Sequence, residues 1–579
     1  MCIFQIRSVT IVELKRLSGA LQIRIKHGFK AFKKNVQEAN NQKILSMKKA
    51  VLALLIGILF VSCKHKPTES TRNSINIDHG ILVENTTIIS TNTNGVIEKF
   101  VGYVLTDNDN IVYVGVDKPN LTGQYKVIDG HGKFTIPGLI DSHVHLANMA
   151  GMTSNHQKKY PTLVQEYYAQ LPKSFLYYGY TTLIDVNNYA PNVINDLLNA
   201  PIRPDIFTCG NQVQIMNDFM MEMEQYTVED RLKSPFLYDK YNKNIHIPET
   251  VDLEAHTPKS ILAAIKRDEG LCVKTLYEDI SSGFPQSWEL PSLELLNDLV
   301  KAAHQEGMPV IMHAPSYNGQ RFALEAGVDI IAHTMWNWYD TPEQFLDLKF
   351  TQDHKNLLLK IANSGVGYQP TFRAIYGEVD LLEGQFYNDS TLEKIFPKSY
   401  LAWLKTEEGN WGKEKIVQRG KLVKAINPTL YKSIRSNFNS DEEMFKGIQK
   451  MLKTRMNQVI KLLADNHAKL LLATDNGAMN MATHPPGFNG YLEMNHWFQA
   501  GVSLEQIFLA ATVNNAKAFR INSQYGTITA GKIANILILN KDPLNDISAY
   551  EAIHMVIVHG QEYERKMLSA NQIPDSHMN

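Results

Sequence analysis

The sequence holds only four cysteines in 579 residues, and no two of them stand as C-x-x-C. That excludes a disulfide framework and a thiolate zinc site of the usual spacing, so any metal must be held by histidine and carboxylate. Charge of one sign is lacking too, with 58 Lys and Arg against 59 Asp and Glu and a net charge of −1. Binders of nucleic acid or of anionic membranes normally carry an excess, so no nucleic-acid partner is expected. No apolar run reaches the about 20 residues that a membrane span requires. No period of 20–50 residues suggests a repeat array, and no G-x-G-x-x-G follows a strand-like run. What remains is a chain long enough for one large catalytic domain with appendages, or for several small domains.

The first informative segment is Met47 to Cys63, MKKAVLALLIGILFVSC. Two lysines precede an apolar run from Ala50 to Val61, which suits a secretory signal and is too short to span a bilayer. FVSC resembles the bacterial lipobox, with Phe60 where Leu is usual. The expectation is a signal peptide over 47–62, a lipid anchor on Cys63 and a polar tether over 63–75. Residues 1–46 then read as a mis-started extension, with Met47 as the initiator. The mature protein would be an exported, membrane-anchored lipoprotein facing the periplasm or cell surface. Cys2 and Cys63 drop out of the count. Cys209 and Cys272 lie in apolar runs, where packed thiols are expected rather than a disulfide.

Beyond the tether, short β-rich stretches separated by Asn, Asp and Gly predict a small antiparallel sheet or sandwich. GKIANILILN and HMVIVHG repeat that pattern near the other end. The two β segments, 76–135 and 524–565, predict one composite β-sandwich domain. Between them strand-like runs alternate with amphipathic helical stretches. Eight runs qualify as strands: GLIDSHVHL, TTLIDV, DIFTCG, LCVKTLY, PVIMHA, DIIAHT, GVGYQPTF and KLLLATD. Alternating β and α units imply a parallel sheet, and eight imply a (β/α)8 TIM barrel over 136–523. A doubly wound open sheet is the rival. The stretch from Ala374 to His467 exceeds an ordinary connection and predicts a helical insertion at the barrel mouth.

The chemistry sits at the ends of these runs. DSHVHL places His143 and His145 two apart on a strand, so both imidazoles project from one face and can share an ion. One H-x-H is weak, because a chain this rich in His supplies about one by chance. Lys274, His313, His333 and Asp475 recur at later strand ends, and in a barrel those ends meet around one mouth. A lone His313 or His333 is more often a packed core histidine. Lys274 is harder to place in an apolar strand, since burying an ammonium requires a partner or a shifted pKa. Asp475, after four apolar residues, poses the same problem.

Taken together, IDGHGKFTIPGLIDSHVHL, GYTTLIDV, VKTLY, IMHA, AGVDIIAHT, TDNG and ATVNNAKAFRINSQYGTITAGKIANILILNKDPL resemble the metal-dependent amidohydrolase superfamily, and within it imidazolonepropionase-like and prolidase-like members. The resemblance runs from about Asp129 to Gly560, broken by the insertion. Asn535 departs from it, where that group commonly has Asp. The resemblance implies that His143 and His145 hold one divalent ion, His313 and His333 a second, and a carboxylated Lys274 bridges them. It also implies that Asp475 binds the first ion and shuttles protons to the leaving nitrogen. Zinc suits these ligands, with manganese, cobalt or iron as alternatives. Such a pair of ions generates a bridging hydroxide that attacks the substrate carbonyl.

Deaminating relatives usually have Glu three residues after the strand-five His, and here that residue is Ser316. The leading substrate class is therefore an amide, cyclic amide or dipeptide carbon–nitrogen bond in a small molecule. A lactonase or phosphotriesterase is the alternative within catalysis, and a non-catalytic ligand-binding lipoprotein the alternative outside it. Tyr180, Tyr368, Gln369, Arg373 and His484 stand near strand ends as candidate pocket residues without an assigned role.

Overall fold

The computed structural model describes residues 74–223, 227–244, 247–279, 288–338, 346–416, 424 and 428–571. The extension, the signal segment and Cys63 all lie outside the described residues, as does most of the tether. The strands and helices belong to the unit Ser74–Asn579. Among the described residues, no helix is long and apolar enough to cross a membrane.

The unit opens with β1 (Ile75–Thr91), β2 (Ile97–Asp107), β3 (Asn110–Gly115), β4 (Leu121–Asp129) and β5 (Phe134–Pro137). Alternating β-branched residues drive these strands. The sheet is mixed rather than antiparallel. β2 runs antiparallel to β1 and to β3, but β4 and β5 run parallel to β1. The cause is the 17-residue length of β1, which pairs β4 along Ile75–Glu84 and β5 along Thr87–Ile88.

The middle of the chain repeats a strand followed by a helix. The strands are β6 (Leu139–Val144), β7 (Tyr180–Asp185), β8 (Asp205–Thr208), β9 (Val273–Leu276), β10 (Val310–His313), β11 (Ile330–Ala332), β12 (Gly367–Gln369) and β13 (Lys469–Leu470). Each falls within one of the eight runs. The helices α1 (Pro161–Tyr177), α2 (Pro191–Leu198), α3 (Pro258–Arg267), α4 (Leu293–Gln305), α5 (Tyr317–Ala326) and α6 (Gln352–Ser364) lie between successive strands. Local chemistry sets their limits. Thr257, Ser292, Ser316 and Thr351 accept backbone N–H groups at the starts of α3 to α6, and Gly327 and Gly365 end α5 and α6 in left-handed conformation.

All strand pairs in the three-stranded β6-β7-β8 and five-stranded β9-to-β13 sheets are parallel. Backbone hydrogen bonds also join the edges of the two sheets. Leu271 N donates to Thr208 O at 2.7 Å on one side, and Ser142 N to Leu472 O at 3.1 Å and Asp475 N to His143 O at 2.9 Å on the other. The strands' period of two divides their side chains between two faces. Ile140, Ile184, Ile311, Ile330 and Leu471 form one buried layer, while Val273, Val310, Met312 and Ile331 pack into the larger core that includes the helices.

The expected packed thiols are instead joined, for Cys209 and Cys272 form a disulfide with Cα atoms 4.4 Å apart. Cys209 follows β8 and Cys272 precedes β9, and the Leu271–Thr208 bond brings their backbones together. Sequence distance hid this adjacency, because 63 residues separate the two positions.

Between β12 and β13 the chain is helical: α7 (Arg373–Glu383), α8 (Lys398–Leu404), α9 (Pro428–Arg435) and α10 (Asp441–Asp465). After β13 come α11 (Phe488–Gln499) and α12 (Leu504–Leu509). Asn515 just beyond donates to the carbonyls of Ile140 and Leu472, both at 2.8 Å, and so pins β6 to the last strand. The chain then returns to the first sheet with β14 (Ile536–Leu539), β15 (Ile553–Val558) and β16 (Gln561–Glu564), in the order β16-β15-β14-β5-β1-β2-β3 with β4 on β1. Asn535 donates to Asp205 Oδ2 at 2.8 Å and accepts His559 N at 3.0 Å, tying this sheet to β8.

Candidate metal centre

Five of the six sequence-predicted site residues stand at the carboxyl ends of the parallel strands or just past them, and Lys274 lies within β9. Left-handed backbone sets two of them, with φ of 77° at His333 and 57° at Asp475. Such φ values in residues with a Cβ cost about 1–3 kcal/mol and cluster at functional sites. Gly477 supports the Asp475 turn. A Cβ there would lie 2.4 Å from the His145 carbonyl oxygen.

The structure brings all six together. His145 Nε2 lies 3.1 Å and His143 Nε2 3.3 Å from Asp475 Oδ1. Lys274 Nζ lies 3.1 Å from His143 Nε2. The imidazoles continue as a chain, with ring centroids 5.3 Å apart for His143 and His333 and 4.4 Å for His333 and His313. His143, His145 and Asp475 can converge on one metal ion.

The hydrogen bonds around His143 decide what fits between them. The Gln369 amide nitrogen donates to Ser142 O at 3.0 Å and Ser142 Oγ at 2.9 Å, which turns Gln369 Oε1 toward His143 Nδ1 at 3.0 Å. Nδ1 therefore carries the proton. Burial, reinforced by the Lys274 ammonium, holds the His143 pKa well below its usual value, so the ring is neutral. Its Nε2 then presents a lone pair to Asp475 Oδ1. Two acceptors facing each other across 3.3 Å call for a cation between them. The donor set thus fits a metal.

Burial lowers the pKa of Lys274 to about 7 against the weaker pull of Asp475, so a neutral amine is accessible near neutrality. Burial alone would raise the Asp475 carboxyl, but the His145 hydrogen bond and the charges of His143 and His333 hold it well below its usual range. His333 donates or accepts through Nδ1 with Thr371 Oγ1 at 2.8 Å, and burial keeps it neutral. His313 Nε2 meets Glu278 Oε2 at 2.8 Å.

Sequence reading missed several residues that hold the site. Gln369, left without a role, orients His143. Asp141 accepts His143 N, Thr474 N and Thr474 Oγ1, clamping β6 to the last strand, and burial raises its carboxyl to about 7. Asp185 accepts Leu146 N at 2.7 Å. Acidic residues beside H-x-H and at strand ends were the available signal. The other candidates are structural. The guanidinium of Arg373, wholly buried, bonds Asn489, Asp380 and the Thr483 carbonyl. Tyr368 accepts Gln320 Nε2 and Met335 N. His484 bonds the Arg373 carbonyl, and the Tyr180 hydroxyl is buried without a hydrogen bond. Ser316 caps α5.

Residues 401–563 match the amidohydrolase family model. No curated protein matches the sequence. Among solved structures, the chain shares its fold with a Xaa-Pro dipeptidase with methionine bound in its active site, at 19% identity and TM-score 0.51, covering 84% of this chain and 100% of that one. Phenylurea hydrolase B is similar at 20% identity and TM-score 0.53, over 86% and 100% of the two chains. The ochratoxinase of A. niger is similar at 15% identity and TM-score 0.53, over 84% and 96%. With an amidohydrolase family domain over 401–563, the chain is an enzyme.

Proposed function

We propose that the chain is a metal-dependent hydrolase that cleaves carbon–nitrogen bonds in a small-molecule amide, cyclic amide or dipeptide. The observation that carries this reading is the facing of the His143 Nε2 lone pair and Asp475 Oδ1, with His145 and Lys274 alongside. His143, His145 and Asp475 would hold one divalent ion and His313 and His333 a second, with Lys274, carboxylated on its neutral amine, between them. Zinc suits histidine and carboxylate ligands best. Bound there, the ions would make hydroxide available at neutral pH and polarise the scissile carbonyl. Asp475 would take the proton of the attacking water and return it to the leaving nitrogen. Gln369 and Thr371 would fix the tautomers of His143 and His333. The family match and the dipeptidase and phenylurea hydrolase similarities favour carbon–nitrogen bonds over esters.

The architecture belonging to this reading is a closed (β/α)8 barrel over 136–523, with a helical insertion at about 374–467. It is supported by the bonds joining both edges of the two parallel sheets. A composite β domain from 76–135 and 524–565 completes it. Export and lipid anchoring through Cys63 are part of the proposal, supported by the 47–63 sequence and by a disulfide, which persists in oxidising compartments.

The test is metal analysis of the full chain, followed by a screen of the metal-loaded protein against dipeptides, acyl amino acids, cyclic amides and lactones. Chelator-sensitive amide hydrolysis with a stoichiometric divalent ion is expected. A protein with no bound ion and no chelator-sensitive turnover would sink the reading.

A further inference from the structure

The ligand cluster opens into a cavity of about 510 Å³, within the range of small-molecule sites. Much of its wall is carbon. Phe219, Trp336 and Ile434 line it, together with Phe445, Ile448 and Leu452. The last three stand on α10 at spacings of three and four, so they share one helix face. Phe445 and Ile448 remain half-buried, and apolar surface left open inside a cavity is what an apolar ligand covers.

The charges in that wall are of one sign. Lys274 is the one Lys or Arg among the described residues lining the cavity, and it already stands among the metal ligands. Glu278 and Glu378 contribute carboxylates to the lining. Glu378 is 4% exposed and accepts Gln449 Nε2 at 2.8 Å. A ligand carboxylate placed away from the metal ligands would therefore be desolvated beside like charges, which is costly.

We propose that the substrate's non-reacting part is an uncharged, carbon-rich group, aryl or alkyl of several carbons, seated on Phe445 and Ile448, and that Glu278 and Glu378 exclude free acids. The proposal rests on the carbon–nitrogen hydrolase reading and narrows it, since a free dipeptide must bring its terminal carboxylate into the cavity.

The experiment compares acetanilide, octanoyl anilide and the ω-carboxylate counterpart of octanoyl anilide on the zinc-loaded full chain. The kcat/KM is expected to rise at least about tenfold from acetyl to octanoyl, as burial of several methylenes predicts, and to fall at least about tenfold when the ω-carboxylate is added. Phe445→Ser with Ile448→Ser should collapse the octanoyl preference toward parity, and Glu378→Gln should restore use of the carboxylate. Equal or better use of the carboxylate, or no chain-length preference, overturns the proposal. If no amide is hydrolysed, the hydrolase reading fails separately. Calorimetric binding of the same octanoyl pair then decides: tighter binding of the neutral member supports the proposal, and equal or reversed affinities overturn it.

Discussion

Lys274 Nζ lies 3.1 Å from His143 Nε2, although 131 residues separate them in the chain. An ammonium in the buried interior beside a neutral imidazole has little to balance it, and the depressed Lys274 pKa follows from that. The pair makes sense as half of a site awaiting a shared cation, in which both nitrogens are uncharged.

Lys274→Ala should lose one or both ions and most activity, with partial rescue by a small carboxylic acid that replaces the missing bridge. Metal content by elemental analysis, with and without added acid, is the measurement, and an unchanged content would refute the bridging role.

Asp475→Asn should keep metal while turnover falls by about 10²-fold or more, because a positioned proton-transfer group contributes roughly that much. Parent-level kcat in the metal-loaded variant would remove Asp475 from proton transfer.

Gln369→Leu removes the acceptor that holds His143 Nδ1–H. Metal affinity should drop about 10- to 100-fold, as for other groups that orient a ligand histidine. Competition with a chelating dye reads this directly.

The metal-free protein should lose stability as pH falls from about 10 toward 7. The folded pKa of Lys274 is lowered to about 7 from 10.5, so in that window the unfolded chain takes up a proton that the folded chain does not. The contribution is on the order of 4 kcal/mol when complete. Lys274→Met should flatten this part of the stability profile in denaturant titrations at several pH values.

Cys272→Ser should lower stability by about 2–4 kcal/mol, the usual effect of opening such a loop, and reductant should do the same to the parent. A melting temperature insensitive to both would mean that the strand contacts around Cys209 suffice.

The eight strands and the ligand positions were legible because each signal is local. Period-two alternation marks the runs, and an ionisable residue after an apolar run stands out by its desolvation cost. The parallel pairing of β4 and β5 with β1 was not legible, because it depends on the length of a strand that serves two partners. Nor was the role of Gln369, whose amide acts only through Ser142 on a strand 227 residues away.

The sequence by itself determined which residues carry chemistry and which segments become strands or helices, since periodicity and charge placement act over a few residues. The tertiary structure alone decided that Cys209 reaches Cys272, that His143 turns its lone pair toward Asp475, and that α10 offers a carbon-rich wall to the cavity. Those facts arise from contacts between distant segments, fixed by hydrogen-bond direction and close packing, and no local pattern encodes them.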